Sequence, residues 1–317
     1  MSYSLKEAQK LSAEKIKSAL NKGGLDDVLP YLLKQEGKGV RSRLLITSAL
    51  DENNSVSEDA IFAAAAIEIL HGATLVHDDV IDDAPIRRGV QTLHKRFDVK
   101  TAIIAGDCML SISLSLLSEL DANRLERAKE YKPVAPFINR ALASICKGEY
   151  LQHKNNGNFE LNIHKYLRII SGKTAALFYV SAFGGALLSD ETNEDAVNIG
   201  RFGRILGMMF QIADDCKDYS WTQNAAKKTV SADVKSGIAT LPLICAAVKK
   251  PVLRVFAREV MQGLRDAHEF AKTVIENDGV KAARAAISKY ETNARAVIKN
   301  IKQPKQEKLL KLLEIIE

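Results

Sequence analysis

Two acidic clusters with the same spacing are the part of this sequence best suited to chemistry. Asp78–Asp82 reads DDVID, and Asp214–Asp218 reads DDCKD. On a helix, the first and third aspartates of each cluster share a face and repel each other, because they are four residues apart. A sequence that accepts this repulsion twice is expected to hold cations there. Oxygen ligands suit Mg²⁺, which keeps several waters and bridges carboxylates to a substrate's phosphates.

A basic segment follows the first cluster. Arg87 and Arg88 lie between Pro85 and Gly89, two residue types that indicate a loop after the helix. Guanidinium groups bind phosphate oxygens in bidentate fashion. The combination of two DDxxD clusters with paired arginines therefore favours two magnesium-carrying walls around one diphosphate over a solvated acidic helix end.

Helices must position these groups. Ser55 and Glu58 have the spacing of a capping box at the start of the first of them. Apolar, alanine-rich periodicity predicts four long helices, over Ile61–Val80, Thr101–Leu120, Tyr166–Leu188 and Glu194–Tyr219. Two of them end in the acidic clusters. We therefore expect an all-α bundle, one domain over residues 1–317, with both clusters at one mouth.

Composition narrows the class of protein. The chain has 317 residues, 46% of them hydrophobic, and a net charge of +6. A basic stripe with interleaved aromatic residues, as nucleic-acid binding requires, is missing from the sequence. Four widely spaced cysteines form no CxxC pair, which fits a reducing compartment. We expect a cytoplasmic protein without a membrane span and without a nucleic-acid partner.

These motifs resemble those of the trans-isoprenyl (polyprenyl) diphosphate synthases. The family's DDxxDxxxxRRG matches Asp78–Gly89, and its second DDxxD matches Asp214–Asp218. The resemblance extends from about Gly37 to Leu243 and includes four shorter motifs: Gly106-Asp107, Gly148-Glu149 with Gln152, Lys173-Thr174, and Thr240-Leu241-Pro242. It implies an isoprenoid-synthase-type helical bundle with a central cavity, a magnesium-dependent prenyltransferase activity, and usually a dimer.

The resemblance also implies roles for individual residues. Isopentenyl diphosphate would be bound by Arg41, Arg88 and His94, and the allylic diphosphate would meet Arg87. The allylic substrate or its diphosphate would also meet Lys173, Thr174, Gln211 and Lys228. The implied magnesium ligands are Asp78, Asp79, Asp82, Asp214, Asp215 and Asp218. Among all these residues, those implied to act most directly in catalysis are Asp78, Asp79, Asp82, Arg87, Lys173 and Asp214.

The sequence departs from the family in its upstream basic motif, Gly-Gly-Lys-Arg-x-Arg-Pro. Val40 stands where the lysine is expected, and Leu44 where the proline is expected. Lys38 could supply the missing charge if the loop shifts. A second departure is Ile238, which replaces a lysine that many members carry before Thr-Leu-Pro.

Chain length is predicted from the residues one turn before the first cluster. Ala73 and Thr74 are small, whereas short-chain members of the family tend to have aromatic plugs there. We therefore expect a product longer than geranylgeranyl diphosphate, in the hexaprenyl to decaprenyl range. The alternatives are a geranylgeranyl or farnesyl diphosphate synthase, a terpene cyclase on the same fold, and the partner subunit of a heterodimeric synthase.

Overall fold

Helices dominate the computed structural model, which describes residues 2–25, 27–33, 37, 39–127, 132–189, 191–219 and 231–316. The α-helices are α1 Leu5–Asn21, α2 Leu29–Leu32, α3 Val40–Ser48, α4 Glu58–Ile81, α5 Leu93–Arg96, α6 Val99–Arg127, α7 Ala135–Lys154, α8 Ile163–Ile170, α9 Ala176–Leu187, α10 Asn193–Lys217, α11 Ala232–Lys235, α12 Leu241–Lys249, α13 Leu253–Met261, α14 Ala267–Glu276, α15 Gly279–Val297 and α16 Lys305–Lys311. A π-helical turn covers Ser171–Ala175, and a 3-10 helix covers Leu312–Ile316. The expected all-α class is confirmed.

The strands of the described residues are two short antiparallel pairs. Strand β1 (Ser2–Tyr3) pairs with β2 (Val56–Ser57), and β3 (Ile86–Arg87) pairs with β4 (Val90–Gln91). The first pair joins the N-terminus to the start of α4, and the second follows the first acidic cluster.

The chain divides into two compact units. Unit 1 comprises residues 1–139, 180–200 and 300–309, and unit 2 comprises residues 140–179, 201–299 and 310–317. The first acidic cluster belongs to unit 1 and the second to unit 2. A single domain over residues 1–317 stays a prediction.

Unit 1 is built around α4, which packs against α1, α3 and α6. The alanines at 63–66 are completely buried, and their small side chains allow neighbouring helices to approach closely. The N-cap of α4 is Ser57, whose side chain accepts a hydrogen bond from the Ala60 amide. The predicted cap at Ser55 is therefore wrong by two residues, since the β1–β2 pair continues the extended backbone through Ser57.

Unit 2 has a separate apolar core among α8, α12, α13, α14 and α15. Aromatic side chains fill much of it, including Phe159, Tyr219 and Phe270, which are at most 2% exposed. One predicted helix differs from the structure here. The segment predicted as Tyr166–Leu188 is α8 and α9 with the π-helical turn between them, because one extra residue is accommodated at Ser171–Ala175.

Two helices of unit 1, α4 and α6, are long and apolar enough to cross a bilayer by length and composition alone. The most apolar stretch of α4 is 61% buried, as expected for the core helix of a soluble protein, whereas that of α6 is 39% buried. This criterion is weak evidence for a span when only one or two helices meet it. The expectation of no membrane span stays a prediction.

Candidate active site

The first aspartate cluster forms the C-terminal end of α4. Asp78 and Asp79 lie in its last turn, and Asp82 is its C-cap. Negative charge at a helix C-terminus opposes the helix dipole, and the carboxylates also repel each other. A local arrangement that stability alone does not favour is typical of a functional site.

The three carboxylates of this cluster differ in how exposed they are to solvent. Asp79 is 3% exposed, Asp78 is half-buried and Asp82 is exposed. The Nε atom of Arg87 lies 2.6 Å from Oδ1 of Asp79. Burial raises the pKa of Asp79, and Arg87 acts in the opposite direction by stabilising the carboxylate. Asp78 and Asp82 are thus the more accessible oxygen donors of this cluster.

A two-residue hairpin presents the paired arginines. Strands β3 and β4 leave Arg88 and Gly89 as the turn residues, with φ angles of 51° and 80°. Positive φ at both positions defines a type I′ turn, which is uncommon for a residue with a side chain such as arginine. The loop predicted after the first cluster is therefore a hairpin that fixes the directions of Arg87 and Arg88.

A cavity of about 320 Å³ lies within unit 1 beside this hairpin. Its polar lining comes from Arg43, Glu68, His71, Arg87 and Arg88. Its apolar lining includes Ile16, Leu75, Val76 and Met109. Basic groups next to an apolar recess suit a small ligand with an anionic head and a hydrocarbon part.

Arg41 and His71 form a partly buried pair beside this cavity. Nη1 of Arg41 lies 2.8 Å from Nε2 of His71. Burial lowers the pKa of His71 well below its usual value, and the charges of Arg41, Arg88 and Arg87 lower it further. His71 is therefore neutral, and its Nε2 accepts the proton that Arg41 donates. Burial also lowers the pKa of Arg41 to about 10, which leaves the guanidinium charged at neutral pH.

His94 lies in a different environment from His71. Its side chain is 2% exposed, and its Nε2 lies 3.2 Å from Oδ1 of Asp83. Lys95 contacts the same carboxylate oxygen at 2.7 Å. The cavity lining, as far as the described residues show it, contains His71 and not His94. The role of His94 toward isopentenyl diphosphate stays a prediction.

The unusual upstream motif forms the start of α3. Val40 is the first residue of this helix and is 7% exposed, and Leu44 is fully buried. Both apolar replacements therefore pack into the protein, while Arg41 points to His71. Lys38, the alternative source of the missing charge, lies outside the described residues.

The second aspartate cluster, in unit 2, also divides by environment. Asp214 is exposed near the end of α10, whereas Asp215 is 4% exposed. Asp218 lies just beyond α10 and accepts backbone N–H bonds from Ala232 and Asp233 at 3.0 and 3.2 Å. Burial raises the pKa of Asp218, and these two bonds lower it. Asp214 is thus the accessible oxygen donor of the cluster.

A hydrogen-bonded chain of side chains holds Asp215. Its Oδ2 accepts from the Tyr166 hydroxyl at 2.5 Å, and its Oδ1 accepts from Nε2 of Gln211 at 2.9 Å. Oε1 of Gln211 in turn accepts from the Thr174 hydroxyl at 2.6 Å. Burial raises the pKa of Asp215 to about 6, and the bonds from Tyr166 and Gln211 oppose the rise. Burial and Asp215 together raise the pKa of Tyr166 well above its usual value.

The π-helical turn carries Lys173 and Thr174. Nζ of Lys173 lies 2.6 Å from Oε2 of Glu149 on α7. Gly148 lies against this turn so closely that a Cβ atom there would clash with the backbone nitrogen of Lys173. On the other side, a Cβ at Gly207 of α10 would lie 2.8 Å from Cα of Ala175. Two glycines thus allow the turn to pack between α7 and α10.

The residues predicted to set chain length have different surroundings. Ala73 is 1% exposed and packs in the unit 1 core with Leu20, Ile69 and Met109. Thr74 is half-buried, and its hydroxyl donates to the carbonyl oxygen of His71 at 2.8 Å. Lys228, predicted to meet the allylic substrate, lies outside the described residues.

The carboxylates fit a divalent cation that is shared with a substrate. Among the described residues, three or more His, Cys, Asp or Glu side chains never converge as a complete protein-only metal centre. The accessible donors Asp78, Asp82 and Asp214 are carboxylates, which Mg²⁺ prefers. Mg²⁺ is commonly bound by one or two carboxylates together with waters and substrate phosphates. The accessible donors of each cluster, Asp78 and Asp82 in unit 1 and Asp214 in unit 2, therefore fit magnesium held jointly with a diphosphate.

Two residues of the site were missed by the sequence analysis. His71 precedes Asp78 by seven residues, so helical spacing could have placed both on one face of α4. Tyr166 precedes Asp215 by 49 residues, and this contact arises only from the packing of unit 2. The sequence contained no local signal for it.

Comparisons with known proteins agree with the motifs. A model of the polyprenyl synthetase family matches residues 23–277. The heptaprenyl diphosphate synthase component 2 of Bacillus subtilis is 34% identical over 224 residues, covering 71% of this chain and 61% of that protein. The geranylgeranyl diphosphate synthase of Sulfolobus acidocaldarius is 33% identical over 235 residues, covering 72% of this chain and 70% of that protein. The matching part of this chain thus spans about three fifths of the length of the Bacillus relative.

Solved structures share the fold over nearly the whole chain. The heptaprenyl diphosphate synthase of Staphylococcus aureus has a TM-score of 0.83 and 30% identity, covering 96% of each chain. A polyprenyl synthase from Caulobacter crescentus, complexed with calcium and isoprenyl diphosphate, has a TM-score of 0.81 and 25% identity, covering 100% of this chain and 98% of that one. From its two aspartate motifs, its helical fold and these matches, we conclude that the chain belongs to the polyprenyl synthetase family.

Proposed function

We propose that the chain is a magnesium-dependent trans-prenyltransferase that joins isopentenyl diphosphate to an allylic diphosphate and makes an all-trans polyprenyl diphosphate. The repeated DDxxD motif carries this proposal, because its accessible members Asp78, Asp82 and Asp214 are oxygen donors at the ends of two helices. Family membership supports the class of reaction. The calcium and isoprenyl diphosphate bound by the Caulobacter relative support a divalent cation.

The isopentenyl diphosphate is proposed to bind at the cavity of unit 1. Arg88 lines this cavity, and its guanidinium can hold phosphate oxygens in bidentate fashion. Neutral His71 also lines this cavity, and it accepts a hydrogen bond from the charged Arg41 beside it. We assign His94 to the support of this loop through Asp83, while its predicted substrate contact remains to be tested.

The allylic diphosphate is proposed to ionise while the aspartates and basic residues hold its head group. Mg²⁺, when bound, supplies positive charge that makes the diphosphate a better leaving group. Arg87, Lys173 and Lys228 add positive charge, and Thr174 and Gln211 orient the substrate. The double bond of isopentenyl diphosphate then attacks the allylic carbon, and the released diphosphate accepts the proton that is lost. Apolar walls exclude water, which would otherwise capture the cation.

The product is proposed to be longer than geranylgeranyl diphosphate, in the hexaprenyl to decaprenyl range. Ala73 and Thr74 support this proposal, because small side chains leave room along α4 for a growing chain. The heptaprenyl relative is consistent with it. Because the Sulfolobus relative is a geranylgeranyl diphosphate synthase, a geranylgeranyl product is the second candidate for this chain. Because the Bacillus relative is named component 2, a role as one subunit of a two-component synthase is a further candidate.

The protein is further proposed to act in the cytoplasm as a homodimer. The support is the apolar surface of α6, where Ile103 and Ile104 are 41% and 63% exposed. A long apolar helix with exposed apolar side chains is expected to be covered by a partner.

Removal of the accessible carboxylates tests the proposed chemistry. Diphosphate release from isopentenyl and farnesyl diphosphate would be measured with Mg²⁺ for Asp78→Ala and Asp214→Ala. Each variant should lose at least about 100-fold in kcat/KM, because a metal contributes several kcal/mol of charge stabilisation. The matched control is Asp83→Asn, an exposed acid next to the first cluster, which should lose less than about threefold, since it retains a hydrogen-bond acceptor for Lys95. Equal losses in all three variants would contradict the assignment.

A further inference from the structure

Tyr166 is the residue of unit 2 whose placement the proposed reaction leaves unexplained. It belongs to α8, its ring is 3% exposed, and its hydroxyl donates to Asp215 at 2.5 Å. A buried tyrosine needs a partner for its hydroxyl, but a neutral oxygen would satisfy that need. Here the partner is a carboxylate of the second DDxxD motif, and a hydrogen bond to a charged group is stronger than one between neutral groups.

The hydrogen bond of Tyr166 continues toward the substrate-binding turn. Asp215 has no remaining oxygen without a donor, because Gln211 occupies the other one at 2.9 Å. Gln211 is thereby oriented with its carbonyl oxygen toward Thr174, whose hydroxyl donates to it at 2.6 Å. Three hydrogen bonds therefore join α8, α10 and the π-helical turn. Tyr166 donates to the Asp215 carboxylate from one end, and Thr174 donates through Gln211 to the same carboxylate from the other end.

Other contacts of the described residues also hold the π-helical turn, among them the ion pair between Lys173 and Glu149. Glycines at 148 and 172 bring its backbone against α7, with a Cβ at Gly172 reaching 2.9 Å from the Ser144 carbonyl oxygen. Glycine contacts allow close approach but supply no directional bond. Arg204 donates to Ser171 at 2.6 Å at the start of the turn, so the Thr174 bond fixes its other end. Lys173 lies between these two anchors.

We propose that Tyr166 is a positioning residue for the allylic substrate, acting through Asp215, Gln211 and Thr174 on the turn that presents Lys173. In this assignment Asp215 receives the hydrogen bonds of the network and does not bind the metal, which leaves Asp214 as the ligand of its cluster. The inference rests on the proposed function for its substrate, and on the hydrogen bonds alone for its effect on the turn.

The test compares two buried tyrosines of the same core. Tyr166→Phe removes one hydroxyl and keeps the ring. Tyr219→Phe is the matched control, because Tyr219 is fully buried in the same cluster and its hydroxyl lies 3.3 Å from Thr240, outside the network. The first readout is amide hydrogen exchange over residues 171–175. Exchange there should become about tenfold faster in Tyr166→Phe, as expected when one bond to a charged group is lost, and stay unchanged in Tyr219→Phe.

Kinetics and binding give the second readout. The KM for farnesyl diphosphate should rise about tenfold in Tyr166→Phe, with the KM for isopentenyl diphosphate within about twofold of wild type. The dissociation constant of farnesyl thiodiphosphate, an analogue that resists ionisation, should rise similarly by calorimetry with Mg²⁺. Unchanged exchange at the turn, or equal effects of the two phenylalanine variants, would overturn the proposal. If the wild-type protein turned nothing over, the proposed function would fail, while the exchange result would still decide the role of Tyr166.

The metal assignment has its own pair of variants. In Asp215→Asn the network can reverse, because the new amide group can donate to a rotated Gln211, which then donates to Thr174. The Mg²⁺ concentration for half-maximal binding of farnesyl thiodiphosphate should therefore change less than about threefold. The same concentration should rise at least about tenfold in Asp214→Asn, which removes a charged ligand. A larger rise for Asp215→Asn than for Asp214→Asn would overturn this assignment.

Discussion

At the scale of residues, the second DDxxD cluster shows how one motif can place its carboxylates in three different environments. Asp214 is exposed, Asp215 is buried under two hydrogen bonds, and Asp218 accepts backbone amides at the start of α11. The spacing of the aspartates identifies the motif in the sequence. The burial and hydrogen bonds of each carboxylate then decide what that carboxylate can bind. We therefore propose the more accessible aspartates, Asp78, Asp82 and Asp214, as the metal ligands.

His71 leads to a prediction about pH and stability. Its pKa in the folded protein lies well below the ordinary value of about 6.5, so only the unfolded chain gains a proton there on mild acidification. The contribution of neutral His71 to the free energy of unfolding is fully present above pH 7 and is lost as pH falls below about 6.5. Between pH 7.5 and 5.5 the free energy of unfolding should fall by about 1.3 kcal/mol more than in His71→Gln.

Urea unfolding at the two pH values checks this prediction. Glutamine can still accept a hydrogen bond from Arg41, so His71→Gln retains the contact without the titration. His164→Asn, at an exposed position of α8, is the control and should keep the wild-type pH dependence. An identical pH dependence in wild type and His71→Gln would show that His71 does not resist protonation.

The site residues that could be predicted from the sequence are those that belong to one motif by their spacing along the chain. The six aspartates and the paired arginines follow from local order, and the structure places Arg87 on Asp79. Tyr166 and the division of labour among the aspartates were not predictable, because both depend on burial and on contacts between distant segments. The replacement of lysine by Val40 could be noticed in the sequence, but its burial at the start of α3 could not.

At the scale of elements, the π-helical turn carries two of the predicted substrate-binding residues, Lys173 and Thr174. It interrupts a helix that apolar periodicity predicts as continuous from Tyr166 to Leu188, and it does so at Lys173 and Thr174. Single π-helical turns often occur at functional sites. The existence of the four long helices was predictable, since their periodicity is strong. The extra residue of the turn was not, because close packing against Gly148 and Gly207 selects it.

Gly148 gives a prediction for this element. A methyl group there would clash with the backbone of Lys173, so Gly148→Ala should lower the free energy of unfolding by about 2 kcal/mol. Gly184→Ala is the matched control in α9, since its Cβ would meet only Val134 at an ordinary 3.4 Å. That variant should be neutral or up to about 1 kcal/mol more stable, because alanine favours helix. Urea unfolding of both variants measures the difference, and equal stabilities would contradict the packing of the turn.

At the scale of the whole molecule, α6 indicates how the chain associates. Its most apolar stretch is only 39% buried in the structure. We expect sedimentation to show a homodimer and Ile104→Lys to weaken its association at least about tenfold, because a charge is costly in an apolar interface. Leu264→Lys, at a residue 70% exposed in unit 2, should leave association unchanged. A monomeric wild type, or flotation of the protein with lipid vesicles, would point to a different partner for α6.

We propose that this single chain carries out prenyl transfer and makes a long product. The most direct measurement supplies the purified protein and Mg²⁺ with labelled isopentenyl diphosphate and farnesyl diphosphate, and sizes the dephosphorylated products by reversed-phase chromatography. We expect a ladder of products that extends beyond geranylgeranyl and disappears when the metal is chelated. A ladder that stops at geranylgeranyl would contradict the long product. No incorporation with geranyl, farnesyl or geranylgeranyl diphosphate as starter would contradict prenyl transfer by this chain alone.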